Sequence, residues 1–367
     1  MGIKTQAYVV AARDAPFLLQ EIELEDPEPN EVLVRVKACG VCHTDLAIRT
    51  GEFPSPFPTL AGHEGSGKVI QVGSAVTRVK VGDSVLLSFS YCGECGSCKI
   101  SHPAGCEKFG EMNFGRTRNT NAGARASAKG ADGKPIYGTF FGQSSFAKHA
   151  LVVETSVVRV PSGTDLVMLA PLGCGLQTGA GAVLNLLKPT PTSTIAIFGV
   201  GAVGLGAIFA AASLGLATII VIDVVDSRLE LALSVGATHV INGLDKNVIT
   251  QIKQLTPYEM GTNYAIDATG NTRCLKNAWS ALATLGHLVS CGTPGPGHAI
   301  PFEIHENLLA SKTYTGLSEG DSNPTELYNQ GKFPVDRITK TYKLEDLAQA
   351  VEDMHSGATI KPVILFD

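Results

Sequence analysis

Residues 194–223 read TIAIFGVGAVGLGAIFAAASLGLATIIVID, and this stretch decides the fold. No charged side chain occurs in it before Asp223, so hydropathy alone would allow a membrane span. Glycines at positions 199, 201, 204, 206 and 215 interrupt the apolar run. We predict a strand at Ile195–Phe198, a tight turn, a helix at Ala202–Leu214 and a strand at Ile219–Asp223. Parallel strands buried on both faces read as continuous apolar runs, so the stretch predicts a buried βαβ unit.

The turn inside this unit has the spacing of a dinucleotide-binding loop. Gly199, Gly201 and Gly204 fit the G-x-G-x-x-G pattern between a strand and a helix. The first glycine permits the turn, the second lets the backbone approach a pyrophosphate, and the third lets the helix pack on the strand. A glycine pattern also arises for steric reasons alone, but here Asp223 ends the second strand. Its carboxylate would accept hydrogen bonds from a ribose diol and repel a 2′-phosphate, which predicts NAD in preference to NADP.

Strand and helix patterns alternate after this unit. Further strands are predicted at His239–Ile241, Tyr264–Asp267 and His287–Ser290, with helical patterns between them. That alternation predicts a doubly wound parallel sheet. The first part of the chain differs, because Glu31–Gly40 alternates apolar and charged residues and turn clusters are frequent. The fold class is therefore α/β, with a β-rich domain preceding a doubly wound one.

Composition narrows the classes of function. The chain has 367 residues, of which 44% are hydrophobic and 17% charged, as expected for a soluble protein with two cores. The net charge is −5 and no cluster of Lys and Arg stands out, so nucleic acid is not an expected partner. The first residues do not resemble a signal peptide, and we expect a cytoplasmic protein that does not bind membranes. In a reducing compartment, nine cysteines favour metal binding or catalysis over disulfides.

Four cysteines lie close together in the sequence. Cys92, Cys95, Cys98 and Cys106 are threaded by glycines that allow close turns, which suits a closed tetrahedral zinc site. An iron–sulfur cluster is the alternative. However, the fourth cysteine is not followed by proline and stands further away than the bacterial ferredoxin spacing requires. The spacing favours structural zinc.

A second motif, CGVCH at residues 39–43, could attach a c-type haem, form a redox dithiol or supply half of a metal site. Haem attachment requires export, for which the sequence shows no signal. Cys42, His63 and Cys174 each have a simple explanation as a buried or turn residue. Together they supply the Cys2His set with an open position that characterises catalytic zinc in alcohol dehydrogenases. Cys39 is then predicted to be a packed residue at the end of a strand.

Over essentially its whole length the sequence resembles the zinc-dependent alcohol dehydrogenases of the medium-chain dehydrogenase/reductase superfamily. Residues 139–152 (TFFGQSSFAKHALV), 171–185 (PLGCGLQTGAGAVLN) and 359–367 (TIKPVILFD) most resemble benzyl or aryl-alcohol dehydrogenases. The resemblance implies a GroES-like catalytic domain with both zinc sites at residues 1–172. It also implies an NAD-binding Rossmann domain at 173–308 and a return to the catalytic domain at 309–367.

The same resemblance implies the roles of individual residues. Catalytic zinc would be held by Cys42, His63 and Cys174, with Glu64 behind it as an alternate ligand and Asp45 orienting His63. The four clustered cysteines match the structural zinc lobe, and the hydroxyl of Thr44 would take the proton of the substrate alcohol. Contacts to the cofactor are implied for His43, Thr178, Gly199, Gly201, Val203, Gly204, Asp223, Arg228 and Lys361.

The expected activity is the reversible oxidation of a primary, benzyl-type alcohol to its aldehyde, with NAD, two zinc ions per chain and a homo-oligomeric enzyme. Many relatives have a histidine that completes the proton relay, and Ala47 stands in that place here. A glutathione-linked formaldehyde dehydrogenase is the alternative activity, and it would need cations such as Arg49, Arg116 or Arg118 to hold a carboxylate. A catalytically inactive zinc-binding structural or sensory protein is the alternative from another class. Such a protein would have no reason to retain Thr44 beside the metal ligands.

Overall fold

A computed structural model of the chain describes residues 2–53, 56–115, 117–120, 123–292 and 295–366. They form two compact units, which we call unit 1 (Met1–Cys174 with Val335–Asp367) and unit 2 (Gly175–Pro334). The α/β fold class inferred from the sequence is confirmed, because unit 1 is rich in β-strands and unit 2 contains a parallel sheet flanked by helices.

Unit 1 contains most of the strands. They are β1 (Ile3–Val10), β2 (Phe17–Leu24), β3 (Glu31–Gly40), β4 (Thr59–Leu60), β5 (Gly65–Val72), β6 (Ser84–Leu87), β7 (Arg118–Thr120), β8 (Gly123–Arg125), β9 (Ala128–Gly130), β10 (Pro135–Ile136), β11 (His149–Val153), β12 (Val157–Val160), β19 (Thr339–Tyr342) and β20 (Lys361–Leu365). The α-helices of unit 1 are short: α1 (His43–Thr50), α2 (Gly96–Lys99), α3 (Phe109–Phe114), α4 (Leu166–Leu169) and α12 (Leu347–Ser356).

The larger sheet of unit 1 has the order β12-β6-β5-β3-β20-β19, and β11 also pairs with β3. Val34 and Val36 of β3 point into the core while Arg35 is exposed, as the alternation in the sequence predicts. Cys39 near the end of β3 lies opposite Gly65, the first residue of β5. Cys39 also lies opposite Ile364 of β20. The register therefore brings three distant segments of the chain together where β3 ends.

Unit 2 contains β13 (Thr194–Phe198), β14 (Thr218–Asp223), β15 (His239–Asn242), β16 (Thr262–Asp267), β17 (Leu282–Ser290) and β18 (Thr313–Gly316). Its α-helices are α5 (Gly175–Gly181), α6 (Ala202–Ser213), α7 (Asp226–Ser234), α8 (Val248–Gln254), α9 (Thr272–Ser280), α10 (Ile304–Ala310) and α11 (Thr325–Asn329).

The sheet of unit 2 has the order β15-β14-β13-β16-β17-β18, and every pairing in it is parallel. All residues of β13 are buried, and so is α6 from Gly204 to Ala211, so the charge-free stretch is a βαβ unit as predicted. The strands extend beyond the predicted limits, most of all β17, which begins at Leu282 rather than His287. In the first part of β17, Leu282 and Gly286 are buried whereas Thr284 and Leu285 are exposed, so this part lacks the uninterrupted apolar run that predicts a buried parallel strand.

The domain boundary implied at residue 309 disagrees with the division between the units. The structure continues unit 2 to Pro334. The reason is β18, which pairs along its length with β17 and so extends the parallel sheet. Only the segment from Val335 onward returns to unit 1, where β20 pairs with β3.

Within the described ranges no single helix has both the length and the apolar composition needed to cross a bilayer. Leu166–Gly173 and Gly175–Leu187 satisfy those two requirements only as a bent pair.

Candidate active site

Unit 1 brings two groups of metal-ligating side chains together. In each group the candidate ligand atoms lie within 4.8 Å of one another. The first group, which we call the buried cluster, consists of Cys42, His63, Glu64 and Cys174. The second, which we call the cysteine lobe, consists of Cys92, Cys95, Cys98 and Cys106.

Three segments supply the buried cluster. Cys42 is the N-cap of α1, two residues after the end of β3. His63 and Glu64 lie in the short connection between β4 and β5, and Cys174 follows the 3₁₀ turn Ala170–Gly173. Because Gly65 lies opposite Cys39 in the sheet, the residues just before β5 lie beside those just after β3. The sheet register thus explains why Glu64 and Cys42 share one site.

Asp45 holds two members of the buried cluster. One of its carboxylate oxygens, Oδ1, lies 2.9 Å from Nδ1 of His63 and accepts a hydrogen bond from the backbone of Gly62. The other, Oδ2, accepts a hydrogen bond of 3.1 Å from the backbone of Cys42. An ionised carboxylate only accepts, so Nδ1 carries a proton and Nε2 is the nitrogen of His63 that is available to a metal. Asp45 therefore lies behind His63, as expected of a residue that would orient a ligand histidine.

The buried cluster fits a zinc ion. Among the described residues, Nε2 of His63 is buried and has no hydrogen-bond partner. A buried polar atom without a partner is unfavourable, and a metal ion would satisfy this lone pair. Two thiols, one imidazole and a nearby carboxylate are also the donor set that zinc prefers. Cys42, His63 and Cys174 therefore suit a catalytic zinc with the fourth position left for substrate, and Glu64 lies next to them.

The interactions within the cluster favour the ionised form of Cys42. A hydrogen bond with Cys174 is the main reason that the pKa of Cys42 lies well below its ordinary value, despite burial. Burial lowers the pKa of His63, but the charges of Asp45 and Cys42 outweigh it and raise that pKa well above its ordinary value, so a metal ion would replace a proton on this ring. A thiolate is the form of cysteine that binds metals, and Cys42 reaches it readily.

Lys361 lies behind the cluster. Its Nζ is 2.6 Å from Oε1 of Glu64 and 3.3 Å from the backbone oxygen of Val41, and its side chain is fully buried. Burial raises the pKa of Glu64 to about 7, although Lys361 opposes this shift. The other oxygen of Glu64, Oε2, has no partner among the described residues. The structure therefore gives Lys361 a carboxylate partner, whereas the resemblance implied a place near the cofactor phosphates.

Thr44 lies next to the cluster in the first turn of α1. Its Oγ1 is 3.6 Å from Sγ of Cys42, and its side chain is half-buried. His43, the first residue of the same helix, is exposed, and Ala47 lies one turn further on and is half-buried. The hydroxyl that the resemblance assigned to proton transfer is thus adjacent to a predicted metal ligand.

Aromatic rings surround the imidazole of His63, and the sequence patterns did not single them out. Phe141 stacks on it at 4.7 Å between ring centroids, and Phe140 meets it edge-on at 5.0 Å. Phe114 contacts Phe141 at 5.4 Å, and the half-buried Phe53 stacks on Phe114 at 4.5 Å. A continuous row of rings therefore leads from His63 to the half-buried Phe53. Phe140 and Phe141 lie within residues 139–152, which in the sequence served only as evidence of the family resemblance.

The cysteine lobe fits a second zinc ion. Sγ of Cys92 lies 3.9 Å from Sγ of Cys98, and the backbone of Cys95 donates to the Cys92 sulfur. Hydrogen bonds from the backbone of Glu107 and from Cys98 are the first causes that lower the pKa of Cys95 to about 6. Burial raises the pKa of Cys98 to about 12. Four converging sulfurs with backbone donors around them suit a closed tetrahedral site.

Unit 2 shows the geometry expected of a dinucleotide turn. Gly199 has a φ of 96°, which is unfavourable for residues with a side chain. A Cβ on Gly204 would lie 1.8 Å from the oxygen of Gly199, so the helix could not approach the strand. A Cβ on Gly201 would meet no atom within 4 Å and would instead fill the open space beside the turn. That space is what a pyrophosphate needs, and the N-terminus of α6 adds partial positive charge there.

Asp223 is tied to the same turn. Its Oδ2 accepts a hydrogen bond of 2.7 Å from the backbone of Val200, and Oδ1 accepts one of 3.0 Å from Val225. Val203 lies half-buried in the first turn of α6, Thr178 is buried in α5, and Arg228 is half-buried in α7. The carboxylate predicted to select NAD therefore has a fixed orientation beside the glycine-rich turn.

Comparison with known proteins identifies the family. Residues 28–162 match the alcohol dehydrogenase GroES-like domain, and residues 202–330 match the zinc-binding dehydrogenase domain. Geraniol dehydrogenase of Castellaniella defragrans is 37% identical over 99% of this chain and 98% of its own. The crystal structure of benzyl alcohol dehydrogenase from Acinetobacter calcoaceticus is 40% identical with a TM-score of 0.90, covering 99% of both chains. That of an alcohol dehydrogenase zinc-binding domain protein from Burkholderia ambifaria is 41% identical with a TM-score of 0.95, covering 100% and 99%. The chain therefore belongs to the zinc-dependent alcohol dehydrogenases of the medium-chain dehydrogenase/reductase superfamily.

Proposed function

We propose that this enzyme oxidises a primary alcohol with an aromatic body reversibly to its aldehyde, using NAD and two zinc ions per chain. The observation that carries the reaction type is the buried cluster with Thr44 beside it. Cys42, His63 and Cys174 would hold the catalytic zinc, and the cysteine lobe would hold the second ion. When bound, zinc supplies a Lewis acid for the substrate oxygen and NAD supplies the hydride acceptor.

The residues of the chain then have distinct tasks. Oγ1 of Thr44 accepts a hydrogen bond from the substrate hydroxyl and moves its proton away as the carbonyl forms. Asp45 keeps the proton on Nδ1 of His63, so Nε2 stays available. Lys361 neutralises Glu64 behind the cluster and keeps that carboxylate in place. With Ala47 in the place of the relay histidine, the proton passes from Thr44 to water or cofactor hydroxyls rather than to an imidazole.

The aromatic preference is carried by the row of rings beside His63. Phe53, Phe114 and Phe141 present faces and edges that favour a second aromatic body by offset or edge-on contacts. The similarity to benzyl alcohol dehydrogenase supports this preference, and the similarity to geraniol dehydrogenase shows that relatives include one named for a non-aromatic alcohol.

The glutathione-linked alternative has less support among the described residues. Arg118 is buried and bound to Glu31, with 2.9 Å between Nε and Oε1, so it cannot hold a substrate carboxylate. Arg116 lies outside the described residues. Arg49 is the remaining candidate, and it is the C-terminal cation of α1.

A substrate panel tests the proposal. Purified enzyme should be assayed with benzyl alcohol, geraniol, ethanol and S-hydroxymethylglutathione, each with NAD and with NADP. We expect the highest kcat/KM for benzyl alcohol with NAD. A higher kcat/KM for the glutathione adduct would replace the proposed activity with the alternative. Metal-loaded, folded enzyme with no turnover of any alcohol would instead favour a protein that has lost catalysis.

The cofactor preference should depend on Asp223. We expect Asp223→Ser to narrow the preference for NAD over NADP by about 10²-fold, because a like charge facing a 2′-phosphate costs several kcal/mol. The activity with NAD should fall as well, since the backbone of Val200 loses its acceptor. The measurement is kcat/KM with both cofactors for the wild type and the variant.

Asp267→Ser is the matched control for this prediction. Asp267 also ends a strand of the same sheet, is buried, and accepts hydrogen bonds from neighbouring residues. Its substitution should leave the ratio of kcat/KM with NAD to kcat/KM with NADP unchanged. Wild-type enzyme that already uses NADP as efficiently as NAD would disprove the role of Asp223.

We also propose that the enzyme is a homo-oligomer. Helix α10 exposes three large apolar side chains: Ile304 is 84% exposed, Leu308 73% and Leu309 70%. The strand β18 is an edge strand of the parallel sheet. An open sheet edge with exposed apolar side chains favours pairing with another copy. Sedimentation velocity should show an oligomer for the wild type and a smaller species for Ile304→Glu/Leu308→Glu. Tyr258→Glu, at a 95% exposed apolar residue elsewhere in unit 2, should leave the size unchanged. A double variant that sediments like the wild type would contradict the proposal.

A further inference from the structure

Residues 139–146, which we call the clamp segment, have an unusual backbone. Thr139, Phe141, Gly142 and Ser144 have φ values of 64°, 51°, 65° and 49°. Residues other than glycine adopt such values at a cost, and several together persist only where the surroundings hold them. A Cβ added to Gly142 would lie only 2.2 Å from Oγ of Ser156, so the surroundings leave no room for a side chain there. The backbone conformation of the clamp segment is therefore determined by its contacts with the rest of unit 1 rather than by the intrinsic φ preferences of its residues.

Those contacts converge on the connection that carries two metal ligands. The backbone oxygen of Ala61 accepts from the backbone of Phe146 at 3.0 Å, and that of Gly62 accepts from Ser145 at 2.8 Å. The oxygen of His63 accepts from Nε2 of Gln143 at 2.8 Å. Three consecutive carbonyl groups of this connection are thus bound by the clamp segment. The connection lies outside the regular strands, so these bonds take the place of a sheet ladder.

The side-chain amide of Gln143 makes four hydrogen bonds, two as a donor and two as an acceptor. Besides the bond to His63, its Nε2 donates to the oxygen of Ser88 at 3.0 Å. Its Oε1 accepts from the backbone of Gly65 at 3.1 Å and from Oγ of Ser145 at 2.8 Å. The side chain is 1% exposed, so water does not compete for these groups. One amide group therefore holds the backbone on both sides of Glu64.

Gln143 is also connected to the segment of Cys174, through Ser88. Oγ of Ser88 donates to the backbone oxygen of Gly173 at 2.9 Å, and Gly173 precedes Cys174. A Cβ on Gly173 would lie 2.3 Å from the oxygen of Leu87, which shows how closely the two backbones approach. Gln143 and Ser88 thus connect the segment of His63 with that of Cys174. These bonds lie outside the metal-ligating atoms themselves.

We infer that Gln143 is a positioning residue for the catalytic metal, which fixes His63 directly and Cys174 through Ser88. The inference rests on the proposed zinc site, and it adds a residue to which no metal-binding role has been assigned above. Residues that orient metal ligands from behind typically change metal affinity by about 10–100-fold when substituted. Loss of Gln143 should therefore loosen the catalytic zinc while leaving the zinc of the cysteine lobe in place.

Asn113 provides a matched comparison in the same unit. It is also a fully buried amide, and its side chain accepts from the backbone of Ser90 at 2.8 Å and donates to Ser90 and Phe109 at 2.9 Å. Ser90 and Phe109 lie on either side of the cysteine lobe in the chain. Gln143→Leu and Asn113→Leu both remove a buried amide that satisfies backbone groups. They differ in which metal site those backbone groups support.

The test is the rate of zinc transfer from the holoenzyme to a chromogenic chelator. The wild type should release its two zinc ions in two kinetic phases. Because Cys98→Ser lacks a ligand of the cysteine lobe, the phase that remains in this variant belongs to the catalytic zinc. We expect Gln143→Leu to accelerate that phase about 10-fold or more and the lobe phase less than about 2-fold. Asn113→Leu should leave the catalytic phase within about 2-fold of the wild type. In cobalt-substituted enzyme, the visible spectrum of the catalytic site should change in Gln143→Leu and not in Asn113→Leu.

Equal acceleration of both phases by Gln143→Leu would show general destabilisation and would overturn the inference. So would a catalytic phase that the variant leaves unchanged. If Gln143→Leu does not fold, Ser88→Ala removes only the link to Gly173 and should accelerate the catalytic phase about 3-fold, a smaller part of the same effect. An unchanged rate in Ser88→Ala would then overturn the inference. Wild-type enzyme that releases only lobe zinc would instead disprove the proposed function itself.

Discussion

Thr44→Ala should reduce alcohol oxidation by about 10²–10⁴-fold at every pH, the range typical of a lost general acid–base group. In free energy of activation this corresponds to about 3–5 kcal/mol. Thr44 lies in the first turn of α1 with Oγ1 3.6 Å from Sγ of Cys42, so in the proposed function its hydroxyl is beside the position that zinc leaves for substrate. Alanine favours helix, and the variant should fold as well as the wild type. The measurement is single-turnover hydride transfer, which separates the chemical step from release of the reduced cofactor.

The control is Thr44→Ser, which keeps the hydroxyl and should retain most of the activity. Zinc content should be unchanged in both variants, because Thr44 is not among the clustered ligands. Full activity in Thr44→Ala would show that the proton leaves by a route that does not begin at this hydroxyl.

Ala47→His tests the next step of the proton-transfer route that begins at Thr44. Without an imidazole at this position, oxidation in the wild type should rise toward alkaline pH as hydroxide replaces the missing base. A histidine with an ordinary pKa near 6.5 is mostly neutral, and therefore able to accept a proton, at pH 7 and above. The variant should accordingly gain rate chiefly around neutral pH and little at high pH. An unchanged pH profile would place the exit of the proton elsewhere, with His43 as the next candidate.

Cys98→Ser should destabilise the enzyme by about 3–5 kcal/mol and lower Tm by roughly 10 °C, because metal binding in such a lobe is folding energy. The four residues of α2 include none that is buried, and Ile100 after it is 76% exposed. The ion pair between Lys108 and Glu94 is exposed and contributes little. The lobe therefore has almost no apolar core of its own and depends on the metal for its structure.

Cys42→Ser is the matched variant for this prediction. It removes a ligand of the buried cluster, where the sheet and the core of unit 1 already hold the segments. We expect it to abolish activity and remove the catalytic zinc, with a smaller fall in Tm than Cys98→Ser. Elemental analysis should find two zinc ions per chain in the wild type and one in each variant. Iron in the wild type, one zinc per chain, or a larger loss of Tm in Cys42→Ser would contradict the assignment of the two sites.

Features encoded by neighbouring residues could be predicted from the sequence. The turn at Gly199–Gly204 depends on φ values and close approaches that only glycine allows, and the structure has them at the predicted positions. Likewise, Cys92, Cys95 and Cys98 converge because short glycine-containing turns leave few other arrangements. The parallel sheet was also predictable, since buried parallel strands leave an uninterrupted apolar signal.

Pairings between distant segments were settled by the tertiary structure. Lys361 and Glu64 are 297 residues apart, and they meet because β20 pairs with β3. The sequence could not place β18 in unit 2 either, because strand order follows from packing of the whole sheet. Gln143 looks like an ordinary polar residue in a loop, and only its bonds to His63, Ser88 and Gly65 reveal its position. Local conformational preferences act between neighbours in the chain, whereas a buried hydrogen bond between distant residues exists only once the core has brought them together.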